Sequence, residues 1–214
     1  MRVAVFSESE ADEAAIRIFA EALLGTKTEP PAGLSLRRRA GGFGNVLKTL
    51  PAVAQHLHYR TDAQGLIVVL DSDLTATHQP EHDEPEKSER KCRLCQLKAL
   101  IRDVQPRLRP VPGKALLKIA LGLAVPQIEA WYLAGVDPHV GEAAWIMDQP
   151  SGQRVFHKGT LKMRVYGTDR PGLDDEKRAA CDHATRLVAE HKLQLLEQLF
   201  PSGFGWLVTA LRSW

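Results

Sequence analysis

What the sequence has little of narrows its class before any motif is read. Three of its 214 residues are cysteines, Cys92, Cys95 and Cys181. In a reducing compartment, that odd count favours metal binding or free thiols over a disulfide framework. Long apolar runs are missing: nothing approaches the roughly 18 residues that a membrane-spanning helix needs. The opening stretch, Met1 to Phe6, meets the acidic Glu8 too soon for a signal peptide. A cytoplasmic location and no membrane partner are therefore expected. Net charge is small at +2, which neither demands nor excludes nucleic acid, so local clusters of basic residues must carry that question. Internal repeats are absent.

What is present is an ordinary globular composition, 44% apolar and 25% charged, in a chain long enough to bury a sizeable core without disulfides. Arg2 to Phe6 reads as a strand that ends in the polar Ser7, Glu8 and Ser9. A helix follows, with Asp12, Ala15, Ile16, Ile18, Phe19, Ala22 and Leu23 on one stripe and Gly25 as its stop. After Pro30-Pro31 comes a short strand, Leu34 to Leu36, then Arg37, Arg38, Arg39 and the glycine-rich Gly41 to Asn45. A second helix has its buried face at Val46, Leu47, Leu50, Val53, Ala54 and Leu57, and Pro51 should shorten or kink it. Leu66 to Leu70 is a continuous apolar run ending at Asp71, the pattern of a central parallel strand covered on both faces.

Residues about 75–91 are polar and charge-rich and read as a surface insertion. Helical periodicity returns at Cys95 to Leu97. Leu116 to Val125 reads as another buried strand, and Pro126 to Leu133 as a helix opened by proline. Further helical patterns run from Gly141 to Met147, Asp174 to Phe200 and Phe204 to Trp214. The expected architecture is α/β, a mainly parallel sheet flanked by helices over residues 1–135, with a helical C-terminal lobe, 136–214, packed on it.

In a parallel sheet, ligands sit beyond the carboxyl ends of the strands. That rule selects Glu8 after the first strand and Asp71 with Asp73 after the central one; Glu129, at a helix start, is a fourth candidate. Two carboxylates about 5 Å apart repel by about 3 kcal/mol at an effective dielectric near 20, so such a set calls for a cation. Oxygen-only ligands suit Mg²⁺ or Mn²⁺, which stabilises charge on a phosphoryl group and lowers the pKa of an attacking water. Helix capping and the macrodipole are an equally good account of Asp12 and Glu13, and Glu129 also fits an ordinary first-turn acid.

The segment Ser7-Glu8-Ser9-Glu10-Ala11-Asp12-Glu13 resembles the first Toprim motif, a glutamate after the first strand with an acidic pair opening the helix. Leu70-Asp71-Ser72-Asp73 resembles the Toprim Asp-x-Asp, and Pro126 to Trp131 is similar to a later motif of bacterial Toprim-like proteins related to overcoming-lysogenization-defect nucleases. The resemblance covers residues 1–135. It implies a Toprim-like fold, with Glu8 as a general acid or base beside a metal-binding aspartate pair. It further implies phosphodiester chemistry on DNA or RNA, as in topoisomerases, primases and nucleases. Ser9 departs from the glycine of many nuclease members. No ATPase, primase zinc domain or topoisomerase tyrosine module accompanies the motifs, so any such partner would be encoded separately. The expected function is Mg²⁺-dependent, nuclease-like hydrolysis, with a place in prokaryotic phage defence. The alternatives are a non-catalytic module that depends on an ATPase or sensor, and a small-nucleotide phosphotransferase.

Other clusters read two ways. Arg37, Arg38 and Arg39 before the glycine-rich loop could clamp a phosphate or be a solvated strand end. Cys92-Arg93-Leu94-Cys95 has the spacing of half a zinc site, and His78 and His82 could complete a closed structural tetrahedron that staples the insertion; otherwise the cysteines are free. Lys158, Lys162, Arg164 and Arg170, near His157 and Tyr166, are expected in a hairpin or loop that either rims the acidic site and holds a nucleic-acid backbone or is solvated surface. Trp131, Trp206 and Trp214 are expected as core anchors.

Overall fold

The chain starts with β1 (Val3–Phe6), buried along its whole length because Val, Ala, Val and Phe leave nothing polar to solvate. In a computed structural model that describes residues 1–32, 42–84, 87, 91–151 and 158–214, the strand leads through Ser7 to Ser9 into α1 (Glu10–Leu24). Ser9 is the N-cap, its hydroxyl accepting from Asp12 N–H at 3.1 Å, and Gly25 ends the helix in the left-handed region at φ 64°. The next described helix is α2 (Phe43–Arg60), followed by β2 (Gly65–Asp71), α3 (Arg93–Val104) and β3 (Lys118–Ala124).

The described strands form a parallel sheet in the order β1-β2-β3. Val3 to Phe6 lie beside Gly65 to Val68, and Gly65 to Asp71 lie beside Lys118 to Ala124. The apolar run of β2 is therefore central, hydrogen-bonded on both sides, and its carboxyl end meets those of its neighbours at one edge. Beyond β3 come α4 (Ile128–Tyr132), α5 (Glu142–Ser151), α6 (Lys158–Tyr166), α7 (Leu173–Ala189), α8 (Leu193–Leu199) and α9 (Phe204–Arg212).

The C-terminal helices supply part of the sheet's own cover: α7 packs along α1, and α9 lies across β3 and touches α1. Two glycines permit that approach. A Cβ at Gly122 would sit 3.1 Å from Val69 and 3.2 Å from Leu207, and one at Gly203 would run into the Leu123 carbonyl. Phe204 completes the seal edge-on against Phe19 and Trp131, with ring centroids 5.7 and 5.1 Å away. Trp131 is fully buried as expected, and so is Trp145. Trp206 and Trp214 are half-buried against the core, Trp206 under the Lys98 ammonium at 3.2 Å.

Several expectations change. Pro51 lies inside α2, which runs on to Arg60. The span from Asp174 to Phe200 divides into α7 and α8, with His191 between them at φ 55°. The basic segment expected as a hairpin or loop is helical as α6. Leu116 is exposed, and the strand begins at Lys118. The strand expected at Leu34 to Leu36, together with Arg37, Arg38 and Arg39, lies outside the described residues. Among the described residues, no helix is long and apolar enough to cross a membrane.

The docking of α9 depends on a buried carboxylate. Glu142, from α5, accepts from Ser202 N–H at 2.9 Å and Gly203 N–H at 2.8 Å, satisfying donors at the start of α9. Glu142→Ala leaves both N–H groups without their acceptor and is expected to cost about 2–4 kcal/mol in urea unfolding, given about 1.5–3 kcal/mol for a hydrogen bond to a charged group. A loss within ~0.5 kcal/mol, the range of ordinary surface substitutions, would show that α9 is held by its apolar face alone.

Candidate functional site

The parallel sheet brings the expected acids to one edge. Glu8 follows β1, and its Oε1 accepts from the Asp71 backbone N–H at 3.3 Å. Asp71 closes β2 with its carboxylate turned inward, where Oδ1 accepts from Ile128 N–H at 3.0 Å. The loop after Asp71 is fastened to the end of β3: Ser72 N–H bonds Ala124 O and Asp73 N–H bonds Pro126 O, each at 2.8 Å. Asp73 takes φ 48°, a left-handed turn that aspartate tolerates better than most residues. Gln127 Nε2 spans the pair through long contacts of 3.4 Å to Asp71 and 3.5 Å to Asp73.

Arg93, which the sequence offered only as the residue between two cysteines, is part of this site. Its guanidinium donates to the Asp71 carbonyl at 2.6 Å. It pairs with Asp73 at 2.9 Å and lies 3.6 Å from Glu8. The Phe43 ring supports it at 4.6 Å.

Behind Asp71 lies a second acidic layer. Asp12 and Glu129 are buried. Asp12 Oδ2 accepts weakly from the Ser7 hydroxyl at 3.5 Å, so Asp12 belongs to the acidic set while Ser9 caps the helix. Lys162 reaches Glu129 at 3.5 Å and Glu176 at 2.8 Å. Burial pushes the Asp12 carboxyl up to about 7, and Glu129 pushes in the same direction. Burial also holds Asp71 well above the carboxylate range, with Asp12, Glu129, Glu8 and Asp73 adding to it. Burial raises Glu129 too, against the pull of Lys162. For Lys162, burial works against the charge, but Glu176 and Glu129 outweigh it and the net shift is upward. Among the described residues, Arg93 lies within ion-pair distance of Glu8 and Asp73, and Lys162 within that distance of Glu129 and Glu176.

Among the described residues, the buried Glu129 Oε2, Gln127 Oε1 and Tyr132 hydroxyl have no hydrogen-bond partner. A buried polar atom left so costs about 1–3 kcal/mol, which a coordinated ion or its water would relieve. Asp71, Asp73 and Glu8 are the oxygen donors that this edge offers, with Glu129 behind them; among the described residues, the side-chain group whose ligand atoms lie close enough together to hold a metal ion is a different one.

The insertion after β2 forms a separate centre. His78, His82, Cys92 and Cys95 offer ligand atoms that all lie within 4.8 Å of one another, a cluster that could hold a metal ion. His78 Nδ1 faces both sulfurs, 3.6 Å from Cys92 and 3.5 Å from Cys95. Its Nε2 lies 3.2 Å from Asp83 Oδ1, the carboxylate that fixes a ligand imidazole in metal sites. Asp83 is itself held by Lys98. His82 lies in a short 3-10 turn, Pro80–Asp83, where its Nδ1 takes a 3.3 Å contact from Gln79 N–H. Without a metal, burial lowers His78 to about 4, Lys98 assisting, and burial pushes the Cys92 thiol up to about 12.

Of the basic residues expected to bind phosphate, the two whose side chains are described are engaged by acidic side chains. Lys162 is committed to Glu129 and Glu176. Arg164 pairs with Asp137. Arg37, Arg38, Arg39 and the Lys158 side chain lie outside what the structure describes.

Raised carboxyls carry a sign for stability. An acid whose folded pKa exceeds its unfolded value keeps its proton in the folded chain after the unfolded chain has released it, so stability falls as pH rises between the two values. For Asp12 that window runs from 3.8 to about 7. Without divalent ions, unfolding free energy is expected to drop across it by on the order of 4 kcal/mol from this group. Asp12→Asn should flatten the slope. Equal slopes in wild type and variant, measured in urea at several pH values, would remove Asp12 from the account.

No family model matches this chain, and comparisons with curated proteins and with solved structures likewise find no match.

Proposed function

We propose that this chain is a Mg²⁺- or Mn²⁺-dependent, nuclease-like phosphodiester hydrolase acting on DNA or RNA, built on a Toprim-like core. The observation that carries the reading is the meeting of Glu8, Asp71 and Asp73 at the carboxyl edge of adjacent parallel strands, tied together by the Asp71 N–H contact to Glu8 and by Arg93. Once bound, the divalent ion supplies charge stabilisation at a phosphoryl oxygen and a more acidic water. Asp71 stays fixed by Ile128 N–H. Glu8, one-fifth exposed, would take or return a proton at its carboxylate, while the buried Glu129 and Asp12 press the Asp71 carboxyl toward its protonated form.

At the second centre the proposed metal is zinc. Two imidazoles and two cysteine sulfurs, bound as thiolates, match the borderline-soft, four-coordinate chemistry of structural zinc, and four protein ligands leave no open position, which makes the site a staple for the insertion. Protein purified without chelator is expected to carry about one equivalent of zinc. Elemental analysis showing only a trace would refute the assignment.

The catalytic test is incubation of purified protein with plasmid, single-stranded DNA and RNA in Mg²⁺, Mn²⁺ or EDTA, beside the Asp71→Ala, Asp73→Ala double variant. Metal-dependent cutting by wild type is expected, reduced by at least ~100-fold in the variant if the pair holds the ion. Undiminished cutting by the variant would sink the proposal. Silence of the chain alone, with activity restored by a separately encoded ATPase or sensor, would move the assignment to a partner-dependent module.

A further inference from the structure

The two centres share a turn of helix. Cys92 is the N-cap of α3 and Cys95 sits in its first turn, whose first backbone bond runs from Gln96 N–H to Cys92 O at 3.1 Å. A metal bound to both sulfurs would pin that turn at two points. Arg93 leaves from it toward the end of β2, to the Asp71 carbonyl, Asp73 and Glu8. A guanidinium cannot shed its proton in a protein. The side chain is also only 13% exposed, so its charge is weakly screened. A fixed positive charge therefore stands beside the carboxylates that would share a divalent ion.

We infer that Arg93 is a positioning residue that couples the centres: metal in the His78-His82-Cys92-Cys95 cluster holds the guanidinium against Glu8 and Asp73, where it competes with the divalent ion. This rests on the acidic-site assignment proposed above. The direction follows from charge, because removing a cation a few ångströms from a divalent site strengthens binding there. Linkage makes the effect mutual: if zinc weakens Mn²⁺ binding, Mn²⁺ weakens zinc binding by the same factor.

The test is Mn²⁺ titration by calorimetry at fixed ionic strength, with zinc content measured in each sample. Zinc-loaded wild type is expected to bind Mn²⁺, and Asp71→Ala, Asp73→Ala to lose that binding. Arg93→Gln should bind about tenfold more tightly than wild type, while Arg93→Lys, which keeps the charge, should stay within about threefold of it. Stripping zinc should shift wild type toward the Arg93→Gln affinity and leave Arg93→Gln unmoved. Where stripping unfolds the chain, the reciprocal measurement replaces it: saturating Mn²⁺ should speed zinc loss to a chelator in wild type and not in Arg93→Gln. Equal Mn²⁺ affinity in wild type and Arg93→Gln would overturn the inference while leaving the acidic site standing. An equal response of both proteins to zinc removal would do the same. No Mn²⁺ binding by either protein would overturn the acidic-site assignment and this inference with it.

Discussion

Like charges held close together out of water are the constraint around which this protein is arranged. Asp71 ends the central strand in an enclosed position, and Asp12, Glu129, Glu8 and Asp73 all press its carboxyl toward the protonated state. Two ionised carboxylates about 5 Å apart would repel by about 3 kcal/mol at an effective dielectric near 20, a large share of the roughly 5–15 kcal/mol by which domains are stable. The chain offsets this with fixed donors and cations, namely Ile128 N–H on Asp71, Arg93 on Asp73 and Lys162 on Glu176 and Glu129.

The surrounding architecture keeps those charges from separating. Parallel pairing sends β1, β2 and β3 toward one edge, and the loop after Asp71 is bonded to the end of β3 at Ala124 and Pro126. The same connection delivers Gln127, Ile128 and Glu129 to the site. From the far side, α7 brings Glu176 while α9 seals the sheet, its start capped by Glu142. The C-terminal helices thus contribute both core and charge to the edge formed by residues before 136.

The His/Cys cluster meets the acidic edge through one residue, Arg93. A surface insertion bearing a metal-ligand set would ordinarily be read as independent of a site across the fold. Here the spacing that puts Cys92 at the N-cap and Cys95 in the first turn of α3 also aims Arg93 at the sheet edge.

Much of the scaffold was legible in the linear chain. The apolar run from Leu66 to Leu70 declared a buried central strand, Ser9 and Gly25 bracketed α1, and the rule about strand ends selected Glu8, Asp71 and Asp73. Cysteine spacing with two upstream histidines pointed to the metal cluster. Those signals are local, set by side-chain chemistry and by periods of two or 3.6 residues, and local order survives in sequence. Tertiary structure alone decided that Asp12 faces the acidic interior while Ser9 does the capping, that Lys162 and Glu176 serve Glu129, and that Arg93 completes the site. It also made α6 a helix where scattered basic residues suggested a loop. The physical reason is reach: Arg93 meets Asp71 across 22 positions and Glu8 meets it across 63. Such pairings are selected by how the helices pack and by the need to neutralise buried charge, neither of which leaves a periodic trace in the chain.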